Sequence, residues 1–154
     1  MALTPIVESI EISRSPDDVF AYVSDPATGR DWQGEITSTE IELDESVRLG
    51  TRWVDTRKSR AGRYRVRYEV TEFDPPQRTA FKNLGGPMSL VGSLQVEPVN
   101  GGSDSRVTIQ LQYDEGRGIG KLLTRLVRRQ SQRQVPKDLA RLKELLENGT
   151  VSRA

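Results

Sequence analysis

Arg117-Gly118-Ile119-Gly120-Lys121-Leu122-Leu123-Thr124-Arg125-Leu126-Val127-Arg128-Arg129-Gln130, continuing through Ser131-Gln132-Arg133-Gln134-Val135-Pro136-Lys137-Asp138-Leu139-Ala140-Arg141-Leu142-Lys143-Glu144-Leu145-Leu146-Glu147, is the stretch that decides the fold. Its apolar residues recur at the three- and four-residue spacing of an amphipathic helix. Six or seven strand-like runs precede it, and one long helix laid across a curved antiparallel sheet leaves a pocket between the two layers. The helix carries two apolar stripes: Ile119, Leu122, Leu123, Leu126 and Val127, then Val135, Leu139, Leu142 and Leu146. At ~100° per residue their centres lie roughly 150° apart, so a straight helix cannot bury both on one surface. Pro136 lacks a backbone donor and crowds the preceding turn, which predicts a kink or break between Gln130 and Pro136 that shapes the pocket.

Working back along the chain, alternation marks strands over residues 35–43, 51–59, 63–73, 78–84, 88–96 and 106–113, after a first strand carrying Ile6, Ile10 and Ile12. The breaks Ala61-Gly62, Asp74-Pro75-Pro76, Gly85-Gly86-Pro87 and Asn100-Gly101-Gly102-Ser103 are turn chemistry, so successive strands should pair as hairpins. Tyr64, Val66, Tyr68 and Val70 share one parity and Arg63, Arg65, Arg67 and Glu69 the other, giving one dry and one charged face. The same rule turns Met88, Leu90, Gly92, Leu94 and Val96 inward, together with Val107, Ile109, Leu111 and Tyr113. Trp53 with Asp55, and Phe81 with Asn83, are read as inward too, although Val54 and Ala80 blur the parity. Ser15-Pro16 is a helix start, with Asp17 and Asp18 offsetting the helix dipole and not forming an acid/base pair. Asp25-Pro26 repeats that signal, opening a short second helix that should end near Gly29 and deliver Trp32 from a mobile connection, where a large aromatic covers a pocket mouth.

Composition narrows the chemistry. The 154 residues contain no Cys and no His, which excludes disulfides, thiolate catalysis and imidazole as base or metal ligand. No metal and no cofactor is expected. The length and the even composition fit one domain over residues 1–154, with its core in 6–147. Met1-Ala2-Leu3-Thr4-Pro5 has no basic region followed by an apolar run, and no stretch approaches the ~20 apolar residues of a membrane helix, so a cytoplasmic location is expected. The Asn148-Gly149-Thr150 sequon is then a chance match. Net charge is +1, yet residues 1–50 hold three basic and eleven acidic side chains, leaving twenty basic and eleven acidic in the rest. The basic residues gather at Arg57, Lys58, Arg60, Arg63, Arg65 and Arg67 and along the final helix. No nucleic-acid signature accompanies them, so a solvated face is the default reading and no specific nucleic acid is expected.

Two motif matches fail. Gly116-Arg117-Gly118-Ile119-Gly120-Lys121 has Glu115 where a phosphate loop needs its first glycine, and Leu122 where it needs Ser or Thr. Glu40, Glu42, Asp44 and Glu45 lack the glycine and ligand spacing of a calcium loop and read as an edge strand and its turn.

With the first strand, Ser15-Pro16-Asp17-Asp18-Val19-Phe20-Ala21-Tyr22-Val23, Asp25-Pro26 to Trp32, Gly50-Thr51-Arg52-Trp53, Glu69-Val70-Thr71-Glu72-Phe73-Asp74-Pro75-Pro76 and the terminal helix, residues 6–147 resemble the START-like helix-grip (SRPBCC) superfamily, in particular its bacterial polyketide cyclase/dehydrase and lipid-transport branch. The resemblance implies an α+β fold: a curved antiparallel sheet of six or seven strands wrapped around a long C-terminal helix, with two short helices after the first strand. It also implies a hydrophobic cavity that different members use for lipid carriage, ring-forming catalysis, hormone sensing or chaperone regulation. No catalytic set spans that range, so none carries over.

The leading expectation is a small hydrophobic or amphipathic ligand, a lipid, polyketide or other polycycle, held by Trp32, Trp53, Tyr64, Tyr68, Phe81, Met88 and Leu90, with Asp55 and Asn83 orienting its polar groups. At about 25 cal/mol per Å2 of buried apolar surface, such a pocket reaches micromolar affinity without charged partners. Set against this is ordinary core packing of each aromatic. The alternative is a cyclase or dehydratase in which Tyr64, Tyr68 or Asp55 moves protons, each needing a shifted pKa in the absence of His. A second alternative has the basic hairpin and helix docking an acidic protein or an anionic membrane surface. Ligand identity and oligomeric state are not legible in the sequence.

Overall fold

The computed structural model describes residues 2–42, 46–60, 62–86 and 88–149. Asp44 and Glu45 of the acidic run and Thr150 of the sequon lie outside them. In chain order the elements are β1 (Ile6–Ile12), α1 (Pro16–Val23), a 3-10 turn (Pro26–Thr28), α2 (Gly29–Trp32), β2 (Ile36–Ile41), β3 (Arg52–Ser59), β4 (Gly62–Asp74), β5 (Arg78–Asn83), β6 (Ser89–Val99), a second 3-10 turn (Asn100–Gly102), β7 (Asp104–Asp114) and α3 (Ile119–Glu147). The seven strands form one antiparallel sheet in the order β1-β7-β6-β5-β4-β3-β2. Consecutive strands from β2 to β7 pair as hairpins, and β1 joins the far edge with Ile6 opposite Leu111 and Ile12 opposite Ser105.

The local chemistry explains the elements. Ser15 Oγ caps α1 by accepting from the Asp18 amide at 3.3 Å, and Asp25 Oδ1 accepts from the Ala27 amide at 2.9 Å. Asp18 also pairs with Arg14 at 3.0 Å, so the two acids of α1 serve the helix start. Parity holds along the sheet: Tyr68, Val70, Leu94, Val96, Val107, Ile109, Leu111 and Tyr113 are buried on the inner face. On the outer face Arg65 pairs with Glu40 at 3.3 Å and Arg67 with Glu42 at 2.8 Å. Trp53 is buried as expected, stacked on Tyr68 at 5.1 Å, and Phe81 meets the edges of both rings. A kink in register between Val70 and Glu72 bends β4 where it passes β5.

The C-terminal helix corrects one expectation. α3 runs unbroken through Pro136, so of the kink or break predicted between Gln130 and Pro136 the break is absent. The two stripes are reconciled by exposure instead. Val135, Leu139, Leu142 and Leu146 are buried, whereas Ile119, Leu122 and Leu126 are 88%, 64% and 57% exposed. Only one stripe faces the sheet, and Pro136 projects into solvent, where losing one helical hydrogen bond costs least. Polar ties hold the buried half in place: Arg14 donates to the Leu146 carbonyl at 2.9 Å, Lys143 to the Glu11 carbonyl at 2.8 Å and Arg141 to the Asp31 carbonyl at 2.6 Å. No described helix is long and apolar enough to cross a membrane.

Candidate functional site: a cavity with one polar end

The inner face of the sheet and the middle of α3 enclose a cavity, with α2 and the residues after it at one end. Its volume is about 80 Å3. Strands β4 to β7 supply an apolar wall from alternate inward positions, including Val66, Leu94, Ile109 and Leu111, while α3 contributes Val127, Ser131, Gln134, Val135 and Asp138.

Seven of the nine expected ligand residues reach this wall: Trp32, Tyr64, Tyr68, Phe81, Asn83, Met88 and Leu90. Trp53 and Asp55 do not. Trp53 backs Tyr68 from behind, and Asp55 is 3% exposed, accepting from Thr39 Oγ1 at 2.8 Å and Trp53 Nε1 at 3.3 Å. Inward parity buries these side chains without bringing them to the lining. Asn83 lines the cavity with its amide already engaged. Nδ2 donates to the Met88 carbonyl at 2.7 Å and Oδ1 accepts from the Leu90 amide at 2.8 Å, which fastens the β5–β6 hairpin.

The polar end rests on a residue that sequence reasoning placed on the solvated face. Arg57 lines the cavity with its side chain 17% exposed. Its Nη2 donates to Gln33 Oε1 at 2.9 Å, and carboxylates of Glu35 and Asp55 stand 3.6 Å from the guanidinium. Gln130 donates a short hydrogen bond to Glu35, tying this end to α3. Burial opposes the Arg57 charge, but Tyr68, Asp55, Tyr64 and Glu35 around it outweigh that effect and its pKa is raised. Arg57 follows Trp53 and Asp55 at spacing two, so strand parity was the signal that would have turned it inward. Among the described residues, Arg57 Nε and Trp32 Nε1 are buried side-chain donors with no hydrogen-bond partner, and both belong to cavity-lining residues. Buried donors are nearly always satisfied, and leaving one unmet costs about 1–3 kcal/mol.

The remaining polar groups sit on α3. Asp138 Oδ1 accepts from the Gly34 amide at 3.0 Å and from Gln134 at 2.8 Å, and burial raises its carboxyl pKa against those bonds. Tyr113 and Ser131 share a hydroxyl hydrogen bond at 2.8 Å, and burial pushes the Tyr113 phenol up to about 12. Burial likewise raises the phenols of Tyr64 and Tyr68 and the carboxyl of Asp55. Residues 127, 131, 134, 135 and 138 recur at helical spacing on one face. Sequence reasoning followed only the apolar members and missed Ser131, Gln134 and Asp138.

The helix-grip arrangement of sheet and long C-terminal helix is shared with known proteins. The chain belongs to the polyketide cyclase/dehydrase and lipid-transport family, whose model matches residues 4–147. Two uncharacterised Mycobacterium tuberculosis proteins, one from each of two strains, are 28% identical over 104 residues, 67% of this chain and 73% of theirs. The ZhuI aromatase/cyclase from a Streptomyces species superposes with a TM-score of 0.82 over 99% of this chain and 98% of its own, at 11% identity. A Thermus thermophilus protein gives 0.77 over 96% and 100% at 22% identity. A Thalictrum norcoclaurine synthase, solved with a transition-state analogue, gives 0.72 over 98% of each chain at 13% identity. At such identities these structures establish the START-like fold of this family member, and its cavity must be read from its own residues.

Proposed function

We propose that this member of the family binds, in the cytoplasm, a small and largely apolar molecule that offers one hydrogen-bond-accepting oxygen to Trp32 and Arg57. The observation that carries this reading is a pair of unpartnered buried donors, Trp32 Nε1 and Arg57 Nε, each carried by a residue that lines the cavity. A carbonyl, carboxylate or phenolate oxygen satisfies such donors, while Tyr64, Tyr68, Phe81, Met88 and Leu90 cover the apolar body. Polyketides and lipids, the two classes in the family's description, both join apolar carbon to oxygens of this kind. The flexible Met88 and the Leu90 beside it let the space adapt to the ligand.

The test pairs native mass spectrometry of freshly purified protein with tryptophan-emission titrations. Fatty acids and flat polycyclic phenols are compared with the matching hydrocarbons. Wild type should quench saturably, and Arg57→Met should weaken the oxygen-bearing probes by about tenfold or more, as expected for a hydrogen bond to a charged group, leaving the hydrocarbons unchanged. Equal affinity of wild type for probes with and without the oxygen overturns the proposal.

A second reading is favoured by Asp138, a carboxyl of raised pKa that lines from α3 the same cavity that Tyr64 and Tyr68 line from β4. These groups suit proton transfer to and from a chain folded by the cavity, as in a cyclase or dehydratase. Asp55, off the lining, leaves that role. Loss of cyclised product in Asp138→Asn with ligand binding retained supports this reading, and unchanged product removes it.

A further inference from the structure

The half of α3 that leaves the core carries an apolar face of its own. Ile119, Leu122, Leu123 and Leu126 are 88%, 64%, 38% and 57% exposed. At ~100° per residue they form one stripe about 100° wide, turned away from the side that carries Thr124, Val135 and Leu142. Single exposed leucines need no explanation, but four in one stripe mark a contact surface. The surrounding charge is one-sided: seven Lys and Arg and no Asp or Glu lie between residues 116 and 137. Arg125, Arg129 and Arg133 follow at four-residue spacing along one border of the stripe. Lys121 and Arg125 share Glu115 at 3.4 and 2.8 Å, while Arg117, Arg129 and Arg133 form no ion pair among the described residues.

The basic hairpin differs in kind. Arg65 and Arg67 are matched by Glu40 and Glu42 across the sheet, Arg52 by Glu69, and Arg57 points inside. Lys58, Arg60 and Arg63 of that hairpin form no ion pair among the described residues either, but only on α3 do such cations border a stripe of exposed leucines. A second copy of the chain fits this surface poorly, because isologous pairing brings like arginine borders together. The stripe is wholly aliphatic, with no aromatic anchor of the kind that dominates protein–protein contacts. An apolar ridge with a cationic border is the pattern of a helix lying in a membrane interface.

We propose that the N-terminal half of α3 docks on an anionic lipid bilayer, with Ile119, Leu122, Leu123 and Leu126 among the acyl chains and Arg117, Arg129 and Arg133 at the level of the phosphates. The stripe ends at Leu126, one residue before Val127 on the cavity wall, so docking brings the cavity next to the bilayer. The proposal stands on surface residues alone and holds whether or not the cavity binds the molecule described above.

The test is flotation of the full chain with vesicles of phosphatidylcholine alone, and with vesicles in which a third of the lipid is phosphatidylglycerol. Wild type should float with the anionic vesicles only. Arg129→Glu combined with Arg133→Glu should lower partitioning by about 25-fold or more, at about fivefold per cation. Leu122→Asp combined with Leu126→Asp should abolish it while circular dichroism and Tm stay at wild-type values, since both side chains already face solvent. Failure of wild type to float overturns the proposal, as does flotation of the folded aspartate variant at the wild-type level. A dimer that the aspartate variant converts to monomer, without vesicle binding, assigns the stripe to a second copy instead.

Discussion

Gly92 is where the sheet and the cavity constrain each other most tightly. It lies on β6 opposite Phe81 of β5, and a Cβ added there would stand 2.3 Å from Phe81 Cζ and 2.7 Å from Cε2. Carbon atoms in contact sit ~3.5–4.0 Å apart, so in Gly92→Ala the Phe81 ring must retreat by about 1.2 Å or more. The side chain is boxed by Trp53 at 6.0 Å and Tyr68 at 5.5 Å between ring centres, which leaves the cavity as the direction of least resistance. Overpacking of this kind costs about 1–3 kcal/mol, or a Tm lower by about 3–10 °C for a chain of this size. Urea and thermal unfolding measure that cost, and tryptophan-emission titration measures the narrowed cavity. Phe81→Leu should rescue Gly92→Ala, with a coupling of about 1 kcal/mol or more in the double-mutant cycle. Wild-type stability and probe affinity in Gly92→Ala, or additive behaviour with Phe81→Leu, would refute the reasoning.

Further expectations concern charge and the two faces of α3. Asp138 titrates higher in the folded chain than its ordinary 3.8, so between those two values the folded state holds the extra proton and stability falls as pH rises. Asp138→Asn keeps the acceptor for Gly34 and removes this slope, so the variant should gain on wild type as pH rises through that window; parallel urea-stability curves against pH would contradict it. Leu142→Ala, at a fully buried site, should cost about 2–5 kcal/mol, whereas Leu122→Ala at 64% exposure should stay within about 0.5 kcal/mol. Denaturant midpoints decide this, and equal costs would mean that both stripes are buried. Arg57→Met leaves the buried Asp55 without its cation, so it should destabilise by several kcal/mol, and Asp55→Asn in the same chain should recover part of the loss. No recovery would show that Arg57 acts through packing alone.

What the sequence by itself determined is what depends on neighbours a few residues apart. The hairpin order from β2 to β7, the dry face of Tyr64, Val66, Tyr68 and Val70, and the caps at Ser15 and Asp25 follow from period-two alternation, turn chemistry and side-chain capping, all local effects. Six of the seven cavity residues were legible for the same reason, because inward parity on a curved sheet points toward one space, and Trp32 was legible from the helix start at Asp25-Pro26. What only the tertiary structure decided is where that curvature and the helix place residues of equal parity. Trp53, Asp55 and Arg57 share a strand and a face, yet only Arg57 reaches the cavity, while Trp53 stacks on Tyr68 and Asp55 is held by Thr39 and Trp53. The two stripes of α3 have nearly equal apolar character, and periodicity cannot say which one the sheet has room to cover. Burial went to Val135, Leu139, Leu142 and Leu146, where β1 and α2 supply backbone carbonyls to anchor the helix, and the first stripe, apart from Val127 on the cavity wall, was left facing outward.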